Sequence, residues 1–191
     1  MHMVEPVLSL LGSLDLQVQC ELLRELVRFP DVTPAILEGL IAALKPSTHE
    51  YRQAAAPSDT GNTAEFVLFS HQAAAAKAIG SLALLFHPIA VHLVKLQAIH
   101  GLLSTAGNHR YADSQRQAAL AIAALAKQCP CVVRCMMGHV SSTIVTEILH
   151  SPTQFHARLS PAQLDVLVTN TVHVEPGSHE SANGRHNTST C

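Results

Sequence analysis

Hydrophobic residues recur at helical spacing through most of the chain. One face of the helix predicted for residues 70–83 consists of small and branched apolar side chains, at Ala75, Ala78, Ile79, Leu82 and Ala83. The intervals between them are those of a single apolar helix face. The chain lacks the sustained alternation of apolar and polar residues that predicts strands. The pattern therefore predicts an all-α protein.

The same face returns farther along the chain. The segment 113–126 aligns without gaps on 70–83, so that Ile122 lies 43 residues after Ile79. Its apolar face is formed by Ala118, Ala121, Ile122, Leu125 and Ala126. Periods of about 40–47 residues are typical of armadillo and HEAT arrays, in which neighbouring repeats bury one another. The spacing predicts a stack of helical repeats.

The pattern divides the chain into one helical domain, 1–172, and a tail. Helices are predicted at 4–12, 15–28, 33–45, 64–86, 88–94, 96–105, 114–128, 130–137, 140–150 and 160–169. The polar, turn-rich segment 46–63 is predicted to be a loop insertion. The tail 173–191 is dominated by Gly, Ser, His, Asn and Thr, and a disordered tail is expected there.

The segments follow a common order. A long Ala-rich helix comes first, and a turn with proline, a short helix and an apolar residue followed by x-x-L-L-x-S come after it. This order resembles the armadillo repeat over about residues 4–150, and the apolar faces of 70–83 and 113–126 match its core positions. The resemblance implies a short right-handed α-solenoid of about three divergent repeats. HEAT repeats share much of the pattern. The glycine that the family has before its third helix is missing, since 95–97 and 139–140 occupy the place.

Armadillo proteins bind their partners along a groove formed by the third helix of each repeat. The resemblance implies that the groove side chains here are Glu38, Gln97, His100, Ser141, Thr143 and Glu147. The same residues also fit an ordinary solvated face. The asparagines that hold an extended peptide in importin-like grooves are missing. Binding by packed helix surfaces is therefore expected.

A shorter resemblance concerns the turns in 85–94 and 126–137. They are similar to a turn in armadillo proteins of the ciliary central apparatus and radial spokes. This implies a non-catalytic structural subunit of a large complex such as the ciliary or flagellar axoneme, with other proteins as partners. The alternative is a cytosolic adaptor that binds a peptide or protein through the groove.

Composition and charge narrow the function. The 191 residues are 48% hydrophobic but include only 2 Tyr, 5 Phe and no Trp, and the Ala and Leu that replace them favour helix. With 12 basic and 14 acidic residues the formal net charge is −2, and no basic face for nucleic acid is visible. The chain has no apolar run of membrane-spanning length and no signal-peptide layout at its start. A cytoplasmic protein with reduced cysteines, and without cofactor or small-molecule substrate, is expected.

The 13 histidines invite a metal hypothesis. Cys131, Cys135 and His139 are spaced i, i+4 and i+8 on a predicted helix, so the third lies about 6 Å beyond the second along the axis. No paired C-x-x-C module supports a zinc site, and buried thiols are the favoured interpretation. A Cys/His metal-binding protein remains an alternative. No nucleophile motif or phosphate-cradling glycine spacing indicates catalysis.

Overall fold

The computed structural model describes residues 33–45, 61–108 and 110–169. The helices predicted at 4–12 and 15–28, most of the predicted loop and the tail 173–191 lie outside these ranges. The described residues form helices and turns without any strand, so the all-α prediction is confirmed.

Nine helices occupy the described ranges: α1 (Thr33–Leu44), α2 (Gly61–Leu85), α3 (His87–Lys95), α4 (Ala98–Ala106), α5 (Ala112–Gln128), α6 (Cys131–His139), α7 (Ser142–His150), α8 (Phe155–Arg158) and α9 (Pro161–Thr169). The bounds lie close to those predicted. Two differences stand out. The helix α2 begins at Gly61, inside the predicted loop 46–63, and the short helix α8 was not predicted.

The two long helices α2 and α5 form the centre of the core and pack along each other. Their contact surface is made of small residues, and Ala75, Ala118 and Ala121 are fully buried. A Cβ atom added at Gly80 would lie 3.1 Å from the Cα atom of Ala121. The helices approach this closely because neither side chain keeps their backbones apart.

A glycine also brings α1 and α4 together. A Cβ atom at Gly101 would lie 3.0 Å from Cδ1 of Leu44, the last residue of α1. The hydroxyl of Thr105 lies 3.2 Å from the carbonyl oxygen of Leu44 and 2.9 Å from that of Gly101. The end of α1 is thus fixed against α4 by both packing and hydrogen bonding.

Two buried glutamines make equivalent hydrogen bonds at helix ends. The amide of Gln72 in α2 donates to the carbonyl oxygen of Leu44 at 2.8 Å. The amide of Gln115 in α5 donates to the carbonyl oxygen of Ala106, the last residue of α4, at 3.1 Å. The last carbonyls of a helix have no partner within it, and burial without one is costly. Gln72 and Gln115 lie 43 residues apart, so the same bond recurs at the spacing of the sequence repeat.

The chain changes direction after α8. The short helix α8 packs against α5 and α7, with Phe155 fully buried, whereas α9 has α4 as its principal packing partner. A new helix starts at Pro161 because its cap is complete. The backbone N–H of Ser160 donates to Oε1 of Gln163 at 2.9 Å, and the Ser160 hydroxyl accepts from the Gln163 N–H at 3.4 Å. This is a capping box with proline at the first helical position.

The turn between α3 and α4 has a left-handed residue. Gln97, predicted to lie within a helix at 96–105, instead precedes α4 with φ 61° and ψ 32°. A side chain is disfavoured in this region, where glycine is the usual residue. The place is the one where the armadillo pattern has its glycine.

Candidate protein-binding surfaces

The predicted groove residues differ in their solvent exposure. Glu38 on α1 and Thr143 on α7 are exposed. Ser141 is also exposed, but it precedes α7 as its N-cap, and its hydroxyl lies 3.5 Å from the N–H of Ile144. Ser141 therefore has a local structural role that the helix periodicity alone did not reveal.

The helix α4 presents little surface to a partner. Gln97 and His100 are half-buried, and most of the helix is fully buried, including Ile99, Leu102 and Leu103. The helices α1, α3, α5 and α9 all pack against it. Gln97 and His100 therefore expose only part of their side chains.

Glu147 takes part in an ion pair. Its carboxylate lies 3.1 Å from the guanidinium of Arg158 in α8. The same guanidinium donates to the Ser151 hydroxyl at 3.2 Å and to Oε1 of Gln154 at 2.8 Å. Glu147 therefore helps to hold α8 against the end of α7. An exposed pair of this kind contributes about 0.2–1 kcal/mol.

The cysteines and histidine of the metal hypothesis lie on one helix in different environments. In α6, Cys135 is buried, Cys131 is half-buried and His139 is exposed. In the described part of the chain, no three His, Cys, Asp or Glu side chains come together as a group that could hold a metal ion. Burial raises the pKa of the nearby Cys129 thiol, and Cys131 adds to the effect. Deprotonation of the Cys129 thiol is thus disfavoured by its surroundings in the folded chain.

An apolar groove of about 470 Å³ is lined by residues of α2, α5, α6 and α7. We call it the α5 groove, and its lining residues are Leu84, Leu120, Ala123, Ala124, Ala126, Lys127, Val133 and Leu149. Leu84 is 54% exposed and Leu120 is 36% exposed. Lys127 supplies the one charge among the lining residues.

The α5 groove was not predicted from the sequence. Leu120, Ala123, Ala124 and Lys127 are spaced as one stripe of α5, and the stripe is mostly apolar. It could have been found as a second apolar stripe beside the predicted core face. Periodicity did not indicate, however, that this stripe would remain uncovered.

Within 33–45, 61–108 and 110–169, no single helix is long and apolar enough to cross a membrane. The pair α3 and α4 reaches that length and composition only when taken together, across a bend of 82°.

Compared with known protein families, the chain matches none, and no solved structure matches it. The armadillo resemblance therefore depends on the residues of the chain itself.

Proposed function

We propose that the chain is a non-catalytic protein-interaction scaffold, built as a short right-handed α-solenoid of about three divergent armadillo-type repeats. In this proposal it is a structural subunit of a large complex, such as a radial spoke or the central apparatus of a ciliary or flagellar axoneme. Other proteins are its partners.

The observation that carries the proposal is the pair of glutamine hydrogen bonds. Gln72 and Gln115 occupy the same place in the two aligned helices, and each caps the end of the preceding helix. Helices that merely share a composition have no reason to repeat a buried long-range bond at a fixed sequence interval. The recurrence supports a repeat in which each long helix is anchored on the unit before it.

The turns between helices support the same proposal. Gln97 has the left-handed conformation at the place where an armadillo repeat has glycine. Pro88 lies in the first turn of α3, and Pro130 is the N-cap of α6. Both prolines belong to the segments that are similar to turns of axonemal armadillo proteins.

The surface supports binding to proteins. The α5 groove exposes parts of Leu84, Leu120 and Leu149 around Lys127, which is a surface against which a helix of another protein could pack. A subunit held in a larger complex would have such a surface covered.

The proposal is tested by expressing the full chain with a small tag in a flagellated cell and extracting the cell with detergent. We expect the tagged chain to stay with the axoneme and to leave it only with the salt extraction that releases radial spokes or central-apparatus proteins. Complete recovery in the detergent-soluble fraction would contradict the axonemal proposal. If that soluble chain were in a stoichiometric complex with another protein, the cytosolic adaptor would be the better description.

A further inference from the structure

Helices α2, α3 and α4 form what we call the first triplet, and α5, α6 and α7 form the second. Corresponding positions in the two triplets differ in burial. Gly80 of α2 is buried, whereas Ala123, 43 residues later in α5, is half-exposed. Leu103 of α4 is fully buried, whereas Leu149, its counterpart in the similar segment of α7 and 46 residues later, is half-exposed. Both half-exposed residues line the α5 groove.

The first triplet is covered because the next long helix lies across it. The helix α5 packs against α2, α3 and α4. Gly80 meets Ala121 of α5, and Gln115 anchors the start of α5 on the end of α4. On the second triplet, the position that corresponds to Gly80 is Ala123, which lines the α5 groove.

The second triplet has only the beginning of such a covering helix. Residues 155–158 lie 43 residues after 112–115, and they form α8, which packs against α5 and α7. Arg158 stands in the glutamine position and contacts Glu147 and Ser151 near the end of α7.

The covering helix stops after this single turn. Leu159 is extended with φ −100° and ψ 142°, and the capping box at Ser160 starts α9, which packs against α4. Proline at 161 could not continue α8, because it lacks an N–H and its ring collides with the preceding turn. Leu120 and Ala123 of α5 therefore keep part of their surface exposed.

We propose that the α5 groove binds an α-helix of a partner protein. This helix would pack across the second triplet, where α8 supplies only a single turn. The inference rests on the proposed function, since it uses the repeat to assign the position. The helix would present small residues toward Ala123, as α5 presents Ala121 toward Gly80. Close helix approach needs small residues on one side, and Leu84, Leu120 and Leu149 would then pack around its larger side chains.

Charge complementarity defines the partner further. Lys127 is exposed at the groove, and none of the described lining residues is a carboxylate. Among the described residues, no acidic group forms an ion pair with Lys127. The partner helix would therefore carry an acidic side chain facing Lys127, which favours the correct partner and orientation.

The test uses a fluorescently labelled peptide with the sequence of residues 112–128, because this helix fills the corresponding place on the first triplet. Its binding to the full chain is measured by fluorescence anisotropy. We expect saturable binding. Absence of saturation up to about 1 mM peptide would overturn the inference, because a groove built for a helix should supply at least the roughly 4 kcal/mol that this affinity represents.

Two neighbouring leucines provide the matched control. Leu84 lines the groove, while Leu85 is 42% exposed and does not line it. Leu84→Glu should weaken peptide binding by about tenfold or more, since a leucine contact is lost and a carboxylate is placed in the groove. Leu85→Glu should leave it nearly unchanged. Equal weakening by both variants would contradict the assignment. Circular dichroism and thermal melting establish that both variants are folded.

A second peptide, with Glu in place of Arg116 and Lys127, tests the charge. It should bind more tightly than the first to the natural chain, and the difference should disappear with the Lys127→Ala chain. A difference that persists would overturn the role of Lys127.

Sedimentation of the chain alone tests another occupant. If the chain self-associates and Leu84→Glu abolishes this, the groove binds a second copy and the inference of a different partner is wrong. If the peptide never binds but the tagged chain still stays with the axoneme, the groove inference fails while the proposed function stands.

Discussion

The two long helices, α2 and α5, differ in the length of the later helix that packs against each of them. The helix α5 is the principal packing partner of α2, and Gly80 of α2 lies against Ala121 of α5. The helix α5 is contacted by the single turn of α8, and it also borders the α5 groove. The helices have closely related apolar faces, so the difference comes from the length of the helix that packs across each of them. In the proposed repeat, a unit would be complete only when the next one lies across it.

The largest contrast is expected for matched leucines. Leu103→Glu places a carboxylate where the side chain is fully buried, and should lower the free energy of unfolding by about 3–5 kcal/mol. Leu149→Glu, at a half-exposed position beside the groove, should cost much less, because water still reaches the carboxylate. Urea denaturation measures both. Similar losses would mean that the second triplet is as closed as the first.

Enlarging the small residues tests the helix contact. Gly80→Leu forces a side chain against the backbone of α5 and should cost roughly 1–3 kcal/mol. Ala123→Leu points into the groove and should change stability by about 0.5 kcal/mol or less. Thermal melting of the two proteins distinguishes them. A Gly80→Leu chain as stable as the natural one would refute the close approach of α2 and α5.

Both glutamine bonds should contribute to stability, with the larger loss at Gln115. Gln115→Leu removes the hydrogen bond to the buried Ala106 carbonyl, at a cost of about 1–3 kcal/mol. Gln72→Leu should cost about 0.5–1.5 kcal/mol, because the Leu44 carbonyl still accepts from the Thr105 hydroxyl. Arg158→Leu, at the third position of the series, should cost about 1 kcal/mol or less because its contacts are exposed. Chemical denaturation of the three variants gives the ranking. A loss at only one glutamine would break the repeat relation.

A smaller effect, of opposite sign, is expected at the turn before α4. Gln97→Gly relieves the left-handed strain, and should raise the free energy of unfolding by about 0.5–1 kcal/mol after the entropy of glycine is subtracted. Gln97→Ala keeps a Cβ atom there and serves as the control. Equal stability of the two variants would show that the conformation is not a source of strain.

The smallest effect concerns pH. Because burial raises the pKa of Cys129, the folded chain keeps a thiol proton that the unfolded chain loses. This contribution is fully present below the ordinary thiol pKa of about 8.5 and is lost as the pH rises toward the raised value. Stability should therefore fall more steeply above that pH in the natural chain than in Cys129→Ala. Parallel pH profiles would contradict this.

The sequence predicted the features that depend on local pattern. Helix class and helix bounds came from the spacing of residues such as Ile79 and Ile122, since one apolar stripe requires one period. The start of α9 came from Ser160 and Pro161, because a cap acts within one turn.

The features that were not predicted depend on which helices, distant in sequence, pack against each helix face. Periodicity marks Leu120 and Leu149 as apolar, but it does not say that α9 turns back to α4 and leaves them half-exposed. The packing of α9 against α4 was not predicted either, and Gln97 and His100 are half-buried. The conformation of Gln97 was missed because side-chain identity argues against a left-handed residue.

The most direct test of the covered and uncovered triplets is the rate of thiol labelling at one matched pair. Leu103→Cys and Leu149→Cys are labelled with a water-soluble maleimide, and the modified site is located by mass spectrometry. Leu149→Cys should react rapidly and become protected when the 112–128 peptide is added. Leu103→Cys should react only as fast as the chain unfolds, with or without peptide. Equal labelling rates at the two positions would contradict the account.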